Sequence, residues 1–107
     1  MAWITLFVAG LFEVVMALCL KESQGFTRHA WSAGMVVAGL ASFALLAQAL
    51  KSLPVGTAYA VWTGIGAAGT ALVGIALRGE PATLARLGAL ALIVAGVVGL
   101  KLAGEPG

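Results

Sequence analysis

Residues 2–20 read AWITLFVAGLFEVVMALCL, an apolar run that only Thr5 and Glu13 interrupt. About 20 apolar residues in a helix span the hydrocarbon core of a bilayer. The run is too long for a strand of a membrane barrel, which needs about 9–11 alternating residues. It therefore predicts a transmembrane helix.

Three further apolar runs follow, separated by short polar segments that contain glycine or proline. Together they predict an all-α membrane protein, one domain over residues 1–107. Its four transmembrane helices are expected at about 2–20, 30–50, 55–77 and 82–102. Hydrophobic residues make up 62% of the 107 residues and charged residues 9%, against about 25% charged in soluble domains. This composition excludes a soluble domain, a disordered chain and a nucleic-acid-binding module, and the expected surroundings are a lipid bilayer.

Basic residues differ little between the two predicted faces of the bundle. The loops opposite the termini carry four, and the face of the termini carries two: Lys21, Arg28, Arg78 and Arg86 against Lys51 and Lys101. So small a bias is compatible with insertion in both orientations. Many transporters combine two inverted repeats, and because no internal repeat is visible here, an inverted second copy is one way to supply the other half.

Glu13 lies about 16 Å along the first predicted helix, in the middle of the membrane. A charge there costs about 2.5–3.5 kcal/mol on insertion scales. No predicted span carries a basic residue at the same depth, so a structural ion pair is not expected. Gly10 leaves space one turn away. We interpret Glu13 as a proton or cation site rather than a permanently protonated structural group.

Other spans place a few polar and aromatic groups near this depth. Ser42 lies about 16 Å into the second helix, where its hydroxyl is expected to bond either the Glu13 carboxylate or a backbone carbonyl of its own helix. Helical spacing puts further groups on one stripe of the third helix: Tyr59, Trp62, Thr63 and Gly66. Aromatic faces beside a carboxylate suit a cation.

Small residues predict two further features. Gly64 and Gly66 loosen the third helix, which favours bending there. Ala89 and Gly96 lie seven residues apart in the fourth helix and share a face, and small residues allow close helix contact in lipid. We predict that this face contacts a second copy of the chain.

A single carboxylate that binds either a proton or a cation is sufficient for antiport, because each ligand expels the other. The sequence shows no metal-ligand cluster, phosphate-binding glycine loop or nucleophile–base pair. We therefore predict a transporter of small cations and protons, with no enzyme activity, cofactor or metal.

Several segments together resemble the small multidrug resistance family over nearly the whole chain: Phe12–Val15, Gly25–Arg28, Leu53–Trp62 and the small residues of the fourth helix. The resemblance implies a proton-coupled exporter in the inner membrane of a bacterium, working as an antiparallel dual-topology homodimer. Glu13 of both subunits would bind protons or substrate, and Tyr59 and Trp62 would line the site.

Finer features are similar to the guanidinium-exporting branch of that family, namely Phe12, the segment 62–67 and Lys101. In that branch Ser42 would orient Glu13 by a hydrogen bond, and Lys101 would belong to the pocket. Met16 departs from the pattern, since the branch typically has tryptophan there. A flexible thioether replaces an indole, so we expect either altered selectivity, for example toward guanylurea or an alkylguanidinium, or a loosened preference overall.

Three alternatives stay open at this point. One is a broader quaternary-ammonium or multidrug exporter of the same family, and another is one half of an obligate heterodimer. The third is a non-transporting membrane subunit, such as a rotor-ring proteolipid with a membrane carboxylate. The position of Glu13 in the first helix disfavours the last.

Overall fold

The computed structural model describes residues 2–103, and within them the chain forms four helices and no strand. In chain order they are α1 (Ala2–Glu22), α2 (His29–Ala49), α3 (Val55–Arg78) and α4 (Leu84–Ala103). All four are long and apolar enough to cross a membrane. The predicted all-α membrane fold with four spans is confirmed. The predicted domain also includes Met1 and residues 104–107, which lie outside the described residues.

Helix ends differ from the predicted bounds by a few residues, for local reasons. α4 begins at Leu84 rather than 82, because the Thr83 hydroxyl accepts a hydrogen bond from the Arg86 backbone N–H at 3.2 Å and caps the helix. α1 continues to Glu22 rather than 20. Beyond it, the buried Ser23 hydroxyl donates to the Leu20 carbonyl at 2.7 Å.

α3 ends at Arg78 and is capped by Gly79, whose φ of 69° is left-handed and favours glycine. The backbone N–H groups of Gly79 and Glu80 both donate to the Gly74 carbonyl. This cap turns the chain back over the end of α3. As a result, the Glu80 side chain lies against the helix it follows, and a Cβ on Gly74 would come within 2.5 Å of its Oε1.

α1 is the central helix and packs along both α2 and α3. The buried core between these three helices includes Leu6, Ala9, Leu46, Ala58, Val61 and Trp62. α4 packs against α3, and between Leu84 and Ala103 no residue is buried. Three helices therefore form the body of the chain, and the fourth lies on one side of it.

Candidate functional site

A groove of about 400 Å³ runs between α1 and α3 from mid-membrane toward the loops at residues 23–28 and 79–83. Its lining is mostly small or apolar, with polar groups at intervals. The residues that matter below are Glu13, Met16, Thr63, Gly66, Thr70 and Glu80. The groove therefore places the predicted membrane carboxylate in a space that a small cation can reach.

The Glu13 carboxylate lies directly on the backbone of α3 at Gly66. A Cβ at residue 66 would overlap the carboxylate, so only glycine leaves room for it. Glu13 Oε1 is buried, and among the described residues it has no hydrogen-bond partner. A carboxylate oxygen left unpartnered away from water is costly, and a proton or a bound donor at this oxygen would remove that cost.

Ser42 lies in the packed interface rather than in the groove. Its hydroxyl donates to the Ala9 carbonyl of α1 at 2.7 Å and accepts a hydrogen bond from Trp62 Nε1 at 2.8 Å. Since a hydroxyl has one proton, Ser42 donates nothing to Glu13 in this arrangement. Neither partner expected from the sequence is the one observed, because the accepting carbonyl belongs to another helix.

Trp62 is buried between two other aromatic rings. Its ring centroid lies 5.3 Å from that of Phe43 and 5.4 Å from that of Tyr59, both in tilted arrangements. Trp62 is 5% exposed and Tyr59 57% exposed. The aromatic stripe predicted on α3 thus divides into a buried indole and an exposed phenol, while Thr63 one residue on lines the groove.

The other predicted residues occupy several places. Gly10 packs against Ile65, and Gly64 against Val97. Met16 lines the groove and also approaches Gly39 of α2, where a Cβ would lie 3.0 Å from its Sδ.

Lys101 is remote from this groove within the chain. Its Nζ lies 5.1 Å from the centre of the Trp3 ring, near the N-terminal end of α1. Ala89 and Gly96 lie exposed on α4, with open space around Gly96. Helix α3 is continuous through Gly64 and Gly66, so bending there stays a prediction.

Charged groups gather at the loop end of the molecule in two separate sets. Glu22 pairs with Arg78 and, at 3.6 Å, with Arg28. Glu80 Oε1 pairs with Arg86 Nη2 at 3.2 Å. Of the two carboxylates, Glu80 lines the Glu13 groove, whereas Glu22 lines a different hollow beside Trp31.

Sequence reasoning missed two residues near the site. Phe43 follows Ser42 and packs in a tilted arrangement against Trp62, which the spacing on α3 alone does not reveal. Glu80 appears in the sequence as a loop residue, and the Gly79 cap is the signal that it turns back toward α3. Within residues 2–103 no group of three His, Cys, Asp or Glu side chains is arranged to hold a metal.

Four membrane-spanning helices with a carboxylate in the groove between two of them define a multi-pass membrane protein with a polar site at mid-membrane. The family model described as Small Multidrug Resistance protein matches residues 1–93, and the chain belongs to this family. It is a transporter of the bacterial inner membrane and not an enzyme. The alternative of a non-transporting subunit is therefore wrong.

Individual relatives are similar over nearly their whole length. A guanidinium exporter of Yersinia pseudotuberculosis serotype I (strain IP32953) is 62% identical over 103 residues, which covers 96% of this chain and 99% of that protein. The guanidinium exporter of Escherichia coli (strain K12) is 61% identical over 102 residues, covering 95% and 97%. That of Citrobacter freundii is 58% identical over 102 residues, with the same coverage.

Proposed function

We propose that the chain exports guanidinium or a substituted guanidinium such as guanylurea in exchange for protons. The observation that carries this proposal is the Glu13 carboxylate on Gly66, with a buried oxygen that has no hydrogen-bond partner in the part of the chain that the structure describes. Relatives named guanidinium exporters at about 60% identity support the choice of substrate. Within the family, selectivity then depends on how the groove receives the cation.

A guanidinium ion suits a bare carboxylate for geometric reasons. Its planar fork of N–H donors meets both carboxylate oxygens at once, whereas a quaternary ammonium has no N–H to donate. Small residues around Glu13 leave the approach open, and Thr63 and Thr70 are among the residues that line it. Met16 gives this groove a flexible wall, which favours a substituent on the guanidinium.

Exchange follows from competition at Glu13. The protonated acid releases its proton when the cation binds, and protonation in turn expels the cation, so the two affinities are reciprocally linked. Glu13 thus carries both ligands in alternation. In this proposal no step requires both to be bound to the same carboxylate.

Alternating access is proposed to come from an antiparallel homodimer. α4 has no buried residue between Leu84 and Ala103, and the face with Ala89 and Gly96 is open for a second copy. The small difference in basic residues between the two faces supports insertion in both orientations. Gly64 and Gly66 would allow α3 to bend as access switches.

Flux measurements on the chain reconstituted alone in liposomes test the function. We expect guanidinium and guanylurea gradients to drive proton flux, with little response to a tetraalkylammonium ion. An equal response to the tetraalkylammonium favours the multidrug alternative. Silence from the chain alone, with flux restored by a second family member, favours the heterodimer.

Topology has a separate test, because Ser52 is exposed in the loop between α2 and α3. In a Cys19→Ala background, Ser52→Cys gives one accessible thiol, and an impermeant maleimide reaches only copies that present this loop outside. Dual topology predicts labelling of about half the copies in intact vesicles. Labelling of all copies or of none contradicts the dual-topology dimer.

A further inference from the structure

A second carboxylate lines the Glu13 groove at its loop end, and it already holds a guanidinium group. Glu80 is exposed there, and its Oε1 lies 3.2 Å from Nη2 of Arg86. We propose that Glu80 is an outer docking site for the substrate cation, and that Arg86 is the resident guanidinium the substrate displaces. This inference rests on the proposed function and adds a residue to its path.

The backbone holds Glu80 in this position. The N–H groups of Gly79 and Glu80 bond the Gly74 carbonyl, and the side chain folds over Gly74, which has no Cβ to exclude it. The carboxylate therefore faces the groove instead of extending freely into solvent. Thr70, Ala71 and Gly66 of α3 connect this point with Glu13 along the groove wall.

The pairing with Arg86 demonstrates the chemistry that the site accepts. A side-chain guanidinium and a free guanidinium ion present the same planar donors to a carboxylate. Both side chains are exposed, 40% for Arg86 and 45% for Glu80. Exposed ion pairs contribute little stability, so exchange of one guanidinium for another at Glu80 costs little.

Glu22 shows why Glu80 is the docking residue and not simply one of two acids at this end. Glu22 pairs with both Arg78 and Arg28, is 22% exposed, and lines the hollow beside Trp31. It is thus held by two cations outside the groove. Glu80 lines the groove and, among the described residues, has a single ion-pair partner, the exposed Arg86, so Glu22 serves as the matched control.

The test compares variants in reconstituted proteoliposomes, with guanidinium as the probe and proton flux as the readout. Glu80→Gln is expected to raise the KM about fivefold, the factor that one contact between unit charges in water supplies, and to leave the maximal rate unchanged. Arg86→Gln is expected to lower the KM, because the competing guanidinium is gone. Arg86→Gln is expected to have no effect on the KM in the Glu80→Gln background.

Glu22→Gln is expected to keep the wild-type KM. The docking site is refuted, and the proposed function stands, if Glu80→Gln also keeps the wild-type KM while wild-type flux is robust. The same conclusion follows if Glu80→Gln and Arg86→Gln shift the KM in the same direction. If wild-type protein gives no flux with guanidinium, the proposed function itself fails. A variant that misfolds is recognised because it does not elute as the wild-type species in detergent. Glu80→Asp then serves as the second variant, and it is expected to keep the KM within about twofold of wild type because its charge remains.

Discussion

Glu13 and Ser42 are both polar residues deep in apolar helices, yet the structure treats them in opposite ways. The Ser42 hydroxyl has a donor in Trp62 and an acceptor in Ala9, and it is fully buried. Glu13 Oε1 is buried, has no hydrogen-bond partner within residues 2–103, and lies beside an open groove. A satisfied polar group stabilises helix packing, whereas an unsatisfied one beside a cavity is available to a ligand.

The largest expected effect comes from removing the space that Glu13 occupies. Gly66→Ala places a methyl group where the carboxylate lies, so the carboxylate has to move by more than an ångström. We expect transport to fall by about a hundredfold, the scale on which such misplacement acts. Proton flux driven by guanidinium measures it.

Gly56→Ala is the matched control, since Gly56 is on the same helix and a Cβ there meets nothing within 4 Å. It is expected to transport like wild type. Near-normal flux from Gly66→Ala would show that the carboxylate does not need its position on α3.

A smaller effect, on selectivity, is expected from Met16→Trp. The indole adds a rigid wall and one N–H donor beside Glu13, and one hydrogen bond is worth about 1 kcal/mol, or about fivefold. We expect the preference for guanidinium over guanylurea to rise by this factor. The ratio of the two KM values measures the change.

Met16→Leu, which conserves volume and adds no donor, is expected to keep the wild-type ratio. If Met16→Trp leaves the ratio unchanged, Met16 does not set selectivity. That result would direct attention to the Thr63 and Thr70 side of the groove.

The smallest effect is expected from Ser42→Ala, and it falls on stability. The substitution removes two interhelical hydrogen bonds, each worth on average about 0.6 kcal/mol in a membrane protein. We expect a lower thermal unfolding temperature in detergent with transport reduced less than in Gly66→Ala. Ser32→Ala, which removes only a bond to the Arg28 carbonyl near the start of the same helix, is the control.

A different outcome would revise the comparison between the two residues. If Ser42→Ala unfolds like wild type but raises the KM for guanidinium strongly, Ser42 acts on the carboxylate or substrate directly. The hydroxyl would then leave the Ala9 carbonyl during transport and donate to Glu13, which is the hydrogen bond that the resemblance to the guanidinium-exporting branch implies.

Much of this molecule follows from the sequence, and the rest depends on how the helices are rotated against each other. Long apolar runs suffice for the four spans, and counting residues is enough to place Glu13 at mid-membrane. The depth of Ser42 in the membrane does not tell which carbonyl accepts its hydrogen bond, because that depends on the packing of α1 on α2. Likewise the sequence predicts that Gly66 loosens α3, but it does not show that the Glu13 carboxylate lies where a Cβ of residue 66 would be.

Glu80 illustrates a second limit. A charged residue after a helix is ordinarily a solvated loop residue, and only the left-handed cap at Gly79 together with the bare backbone at Gly74 brings it over α3. The sequence shows both glycines but not the direction in which the chain turns.

The central claim is that Glu13 exchanges a proton for the cation, and Glu13→Gln tests it most directly. Glutamine keeps the shape of the side chain but neither releases a proton nor pairs with a cation. With reconstituted protein and a pH-sensitive dye inside the liposomes, we expect guanidinium to drive proton flux through wild type and Glu22→Gln, and none through Glu13→Gln. Coupled flux through Glu13→Gln at a rate near that of wild type would contradict the account.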